Sequence, residues 1–172
     1  MNTLVISYLT LRKAIGYLGL LLVPALLLAH GYQPSVSAFY HTPGRDLFVV
    51  TMGVMGAFLL CYKGYDSRDT RTSRLAGLGA ILVAFFPVPS VAHSIGAAAF
   101  FGATGYMVGK LFVLGEREPT PEKLRRNRVY LGASYVQSMA ALVMALGSAL
   151  SVLAPEIRWV PIVWPELAAS IA

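Results

Sequence analysis

Long uncharged, apolar stretches alternate with short charge-bearing segments along this chain, and their lengths set the architecture. A helix needs roughly 20 residues to cross about 30 Å of hydrocarbon. The first stretch follows Arg12-Lys13 and closes at His30-Gly31, with Pro24 inside it. A membrane helix tolerates such a proline better than a soluble one. No small-x-small cleavage site lies near Ala29, so a retained helix over 12–30 is expected rather than a cleaved signal peptide. Residues 2–11 are apolar enough to lie in the interface ahead of it.

A second span is predicted over 43–63, with Thr42 as its cap and Pro43 in the first helical position. Arg45 and Lys63 would snorkel at its two ends. No charge occurs between Arg74 and Lys110, and Pro87-Val88-Pro89-Ser90 divides that stretch into a helical hairpin, 70–87 and 91–113. A fifth span over 129–153 holds one strongly polar group, Gln137. The final 14 residues, 159–172, reach only about 21 Å as a helix and do not cross; the chain is truncated there or the segment is re-entrant. The expected fold is an all-α membrane protein with a single transmembrane domain over 1–172. Five transmembrane helices form the bundle, and a short sixth hydrophobic segment is incomplete.

Composition agrees with the pattern. The chain is 56% apolar and 13% charged, about half the charge of a soluble domain, which runs near 25%. A lone cysteine, Cys61, excludes an internal disulfide framework and any multi-cysteine metal site. The net charge of +6 would suit nucleic acid, but its placement argues otherwise. With the N-terminus inside, twelve of the fourteen basic residues fall in cytoplasmic segments, leaving Arg45 and Arg158 outside. That asymmetry predicts a bacterial inner-membrane protein with a cytoplasmic N-terminus. It makes membrane lipids, not nucleic acid, the expected partner. Thr120-Pro121-Glu122 reads as a capped helix start, and Arg125, Arg126 and Arg128 follow as the inner-leaflet lipid contact.

All three histidines fall on the outer side. His30, His41 and His93, with Asp46, form a candidate metal set. Three imidazoles and a carboxylate can hold zinc and leave a position for water. Ser90 as cap puts His93 in the first turn of the fourth helix, where a neutral ring nitrogen serves as ligand or base. Interfacial histidines bonded to loop carbonyls and headgroups explain the same pattern with no cofactor, which is the leading expectation. Zinc comes second, and bis-histidine haem is a further alternative. Ser35, Ser37, Tyr40 and Arg45 mark a candidate outer-loop pocket; otherwise the loop is plain surface in which Arg45 and Asp46 neutralise each other. Neither a Gly-x-Ser-x-Gly elbow nor a Ser-x-x-Lys pair is present, so a serine nucleophile has no local motif.

Within the spans small residues dominate. Gly102, Gly105 and Gly109 form a helix-packing stripe on the fourth, and Ser134, Ser138, Ala141 and Ala145 another on the fifth. Charge is almost absent there, which speaks against a proton or ion path.

The chain resembles a family of uncharacterised bacterial polytopic inner-membrane proteins, distantly akin to the Frag- and DRAM-like membrane proteins. The resemblance lies in Leu11-Arg12-Lys13-Ala14-Ile15-Gly16, the run from Ser35 through Phe39-Tyr40-His41-Thr42-Pro43-Gly44-Arg45-Asp46, and Tyr62-Lys63-Gly64-Tyr65-Asp66. It continues in Ala84-Phe85-Phe86-Pro87, His93 and Arg125-Arg126-Asn127-Arg128-Val129-Tyr130. It implies a six-span bundle, from which Trp164-Pro165-Glu166 departs. A more distant likeness to metal-dependent membrane hydrolases of the alkaline ceramidase type lacks their paired-histidine last helix, and no catalytic residue carries over. The function expected first is a non-catalytic membrane subunit, with other membrane-protein subunits as partners, or a lipid-interacting protein. A metal-dependent hydrolase acting on lipid or headgroup at the outer face is the alternative, followed by a channel, transporter or sensor.

Overall fold

The computed structural model describes residues 3–64, 66–113 and 120–153; the 159–172 segment lies outside them. Every regular element among the described residues is helical. In chain order these are α1 (Thr3–His30), α2 (Arg45–Cys61), α3 (Ser67–Phe85), α4 (Val91–Tyr106) and α5 (Pro121–Leu153). A 3₁₀ segment (Val36–His41) precedes α2, and a π-helical turn (Met107–Leu111) prolongs α4. Among the described residues, three stretches are long and apolar enough to cross a membrane: Lys13–His30, Val91–Leu111 and Pro121–Gly147. α2 has 17 residues, a little under the roughly 20 a crossing uses. α3 has 19, and its first two turns carry Arg68, Asp69, Arg71 and Arg74.

Local chemistry sets the helix ends. The Asp66 carboxylate accepts from the Asp69 N–H at 2.8 Å and caps α3. Ser90 Oγ accepts from the His93 N–H at 3.2 Å and caps α4. Thr120 Oγ1 accepts from the Lys123 N–H at 3.3 Å at the start of α5. α1 stops at Gly31, whose φ of 73° suits glycine and whose N–H returns to the Leu27 carbonyl at 3.0 Å.

Two starts differ from the sequence expectation. Residues from Thr3 onward are continuous with the expected first span: they are the first turns of one 28-residue helix that runs on through Pro24. α2 begins at Arg45 with Gly44 as N-cap, not at Pro43 with Thr42 as cap. The reason is that Thr42 spends its hydroxyl in the preceding turn. Its Oγ1 donates to the Phe39 carbonyl at 2.9 Å and accepts from the Gly44 N–H at 3.1 Å.

α3 is the central helix, packed against α2 on one side and α4 on the other. α5 packs on the far side of α4, and α1 leans more lightly on α2. The core joins Leu22 and Leu26 of α1, Phe39, Phe48 and Met52, Ala80, Val83 and Ala84 of α3, and Ala97 of α4. Small residues let the backbones meet. A Cβ on Gly79 would sit 2.6 Å from the Gly96 carbonyl oxygen and the Phe100 nitrogen, and one on Gly77 would sit 2.8 Å from the Gly56 oxygen. Ser73, fully buried, adds a hydrogen bond from Oγ to the Leu59 carbonyl at 2.7 Å.

Candidate functional site

The site lies where the α1–α2 loop meets the α3–α4 turn. Prolines 87 and 89 stop α3 and release the Phe86 carbonyl from helical pairing, while Ser90 starts α4 and fixes His93 in its first turn. The 3₁₀ segment crosses above, anchored by Phe39, which is 1% exposed. Three side chains of that segment reach the turn. Ser37 Oγ lies 3.0 Å from His93 Nε2. His41 Nε2 bonds to the Val88 carbonyl, and Tyr40 OH donates to the Phe85 carbonyl at 3.5 Å.

His93 is the centre of this arrangement. It is 4% exposed, yet both ring nitrogens are engaged. Nδ1 lies 2.8 Å from the Phe86 carbonyl oxygen. A carbonyl only accepts, so Nδ1 carries the proton, and in the neutral ring Nε2 presents its lone pair to the Ser37 hydroxyl. Ser37 therefore donates to His93. A hydroxyl bonded to an imidazole that is itself oriented by a third group has the geometry of an activated nucleophile.

Comparison with family models, curated proteins and solved structures finds no match.

The candidate metal set does not assemble. Among the described residues no group of three or more His, Cys, Asp and Glu side chains comes together in a way that could hold a metal. His93 is occupied on both nitrogens, and His41 turns to Val88. His30 packs its ring against Gly44, where a Cβ would sit 2.8 Å from its Cδ2. Asp46 stands in the first turn of α2, favourably placed for the helix dipole.

The outer-loop residues are drawn together more closely. Arg45 places its guanidinium 4.7 Å from the centre of the Tyr40 ring and donates from Nη2 to Tyr40 OH at 3.3 Å. Among the described residues Arg45 forms no ion pair with Asp46, so mutual neutralisation is not what holds the loop. The Ser35 hydroxyl, two residues from Ser37, is buried with no hydrogen-bond partner.

Arg125, Arg126 and Arg128 are exposed on the first turns of α5. Gly102 and Gly105 of α4 and Gly109 of the π-helical turn face α5: Gly105 against Gln137 and Ser138, Gly109 against Ser134, and Gly102 toward Ala141. Ser134 Oγ donates to the Gly105 carbonyl at 2.9 Å. Sequence reasoning missed the pairing of Ser37 with His93 and the role of the Phe86 carbonyl. The polarity of the loop flagged Ser37 and the Ser90 cap flagged His93, but no local spacing joins residues 56 positions apart.

Proposed function

We propose that this chain is a five-span protein of the bacterial inner membrane, N-terminus cytoplasmic, that interacts with membrane lipids and works at the outer headgroup level. One observation carries the reading: the flanking helices leave their apolar surfaces uncovered by protein. No residue of the Pro121–Gly147 stretch is buried. Val129, Tyr135, Val136, Met139 and Val143 of α5 are all exposed, as are Leu20, Leu21 and Leu28 of α1. An apolar surface of that extent is stable only against acyl chains or another apolar surface. The exposed Arg125, Arg126 and Arg128 at the start of α5 suit anionic headgroups of the inner leaflet. The α2 and α3 helices complete the five spans by snorkelling of Arg45, Lys63 and the basic side chains at the start of α3.

Native mass spectrometry of the purified protein tests this. Phospholipid adducts enriched in phosphatidylglycerol, and reduced when Arg125, Arg126 and Arg128 are all replaced by Gln, are the expected result. A lipid-free chain that co-purifies in fixed ratio with another membrane protein would overturn the reading in favour of a subunit role.

A further inference from the structure

We infer that Ser37 and His93 form a catalytic dyad for cleavage of carboxylic esters at the outer membrane surface. The pair has the parts that acyl transfer requires. Ser37 Oγ is 3.0 Å from His93 Nε2, within proton-transfer reach. The Phe86 carbonyl, 2.8 Å from Nδ1, holds the ring in the tautomer whose lone pair faces the serine. Burial of His93 keeps water from competing for that nitrogen. Ser37 is only half-buried, whereas His93 is buried.

A purely structural latch accounts for the Ser37–His93 hydrogen bond. It does not account for the buried Ser35 hydroxyl two residues away, a donor with no partner. A donor left unmet two positions along the chain from the serine is the kind of group a developing oxyanion uses.

The reaction balances with water as the only co-reactant. Ser37 Oγ attacks the ester carbonyl carbon and its proton passes to His93 Nε2. The tetrahedral intermediate collapses, the carbon–oxygen bond to the alcohol breaks, and His93 returns the proton to the leaving alkoxide. Water then gives a proton to His93 and attacks the acyl–Ser37 ester. The acyl carbon–Oγ bond breaks, His93 returns that proton to Ser37 Oγ, and a carboxylic acid departs with the serine hydroxyl restored. The Phe86 carbonyl is a positioning group throughout. That the ester belongs to a glycerolipid rests on the lipid-interacting reading; the dyad itself does not.

The test uses the full chain in nanodiscs of phosphatidylglycerol and phosphatidylethanolamine, treated with an alkyl fluorophosphonate. Peptide mass spectrometry then locates the adduct. The expected result is phosphonylation of Ser37 at least about 100-fold faster than of the exposed Ser67. The wild-type result decides without any variant: no adduct on Ser37, or one no faster than on Ser67, overturns the dyad. His93→Gln, checked for helicity by circular dichroism, is expected to cut the Ser37 labelling rate by a similar factor. An unchanged rate in folded His93→Gln would remove the histidine from the mechanism and the dyad with it. Hydrolysis of p-nitrophenyl butyrate without release of fatty acid from the nanodisc lipids leaves the dyad standing and rejects the glycerolipid substrate.

Discussion

Polar side chains near the helix joints are used for different purposes, and the differences predict different costs. Ser73 sits between α2 and α3 and donates to the Leu59 carbonyl in the last turn of α2, where the helix itself supplies no N–H partner. Ser73→Ala then strands that carbonyl, and a loss of about 1–3 kcal/mol is expected in thermal or denaturant unfolding. Asp66 is exposed and acts through charge. The Asp69 backbone N–H, followed by the Arg68 side chain at 3.2 Å, holds its carboxyl below the ordinary 3.8. A depressed folded-state value means that the unfolded chain takes up the proton first. The cap's contribution is therefore complete above about pH 4 and fades as pH falls through the lower folded value. Asp66→Ala is expected to lower the thermal midpoint at pH 7 and to flatten its slope below pH 4. An unchanged slope would mean that other carboxylates govern the acid limb.

At the scale of elements, the glycines separate those the packing needs from those it does not. Gly79 meets backbone atoms of α4, which cannot move aside as a side-chain tip can. Gly79→Ala is expected to push α3 and α4 apart and cost about 1–3 kcal/mol. Gly53 has nothing within 4 Å of its Cβ position and lies inside α2, so Gly53→Ala is expected to stabilise by about 0.5–1 kcal/mol. Equal effects from the two would show that the α3–α4 contact is looser than described. The stripe of Gly102, Gly105 and Gly109 divides in the same way: a Cβ on Gly102 would make only ordinary contact, 3.6 Å from Ala141, whereas Gly109 has no room beside Ser134. The helix ends were largely legible in the chain, because Ser90, Thr120 and the two prolines after Phe86 act on residues within one turn. The Gly56–Gly77 and Gly79–Gly96 contacts were not, since a glycine announces small size and not which neighbour comes close. The outer site divides likewise: its residues could be named from the loop's polarity, but their partners depend on two loops that are distant in sequence.

Over the whole molecule the two loops between α1 and α2 and between α3 and α4 meet at one end, through Ser37–His93, His41–Val88 and Tyr40–Phe85. In a chain whose helices alternate in direction, that contact requires α1 and α3 to point the same way. The basic residues Lys63, Arg68, Arg71 and Arg74 then belong to the opposite end, where α3 begins. This matches the side that positive charge selects during insertion. The prediction is tested by single cysteines on a Cys61→Ser background, using a membrane-impermeant maleimide on intact spheroplasts. Gln33→Cys, in the loop with the candidate dyad, is expected to react at once. Ser67→Cys and Glu122→Cys, at the starts of α3 and α5, are expected to react only after permeabilisation. If Ser67→Cys reacts in intact spheroplasts and Gln33→Cys does not, the orientation is reversed. The Ser37–His93 pair would then face the cytoplasm, and any ester it cleaves would belong to the inner leaflet. Reaction of Ser67→Cys and Glu122→Cys on opposite sides would instead mean that α3 and α4 do not both cross. The five-span count would then fall to the three stretches that are long and apolar enough to cross by themselves.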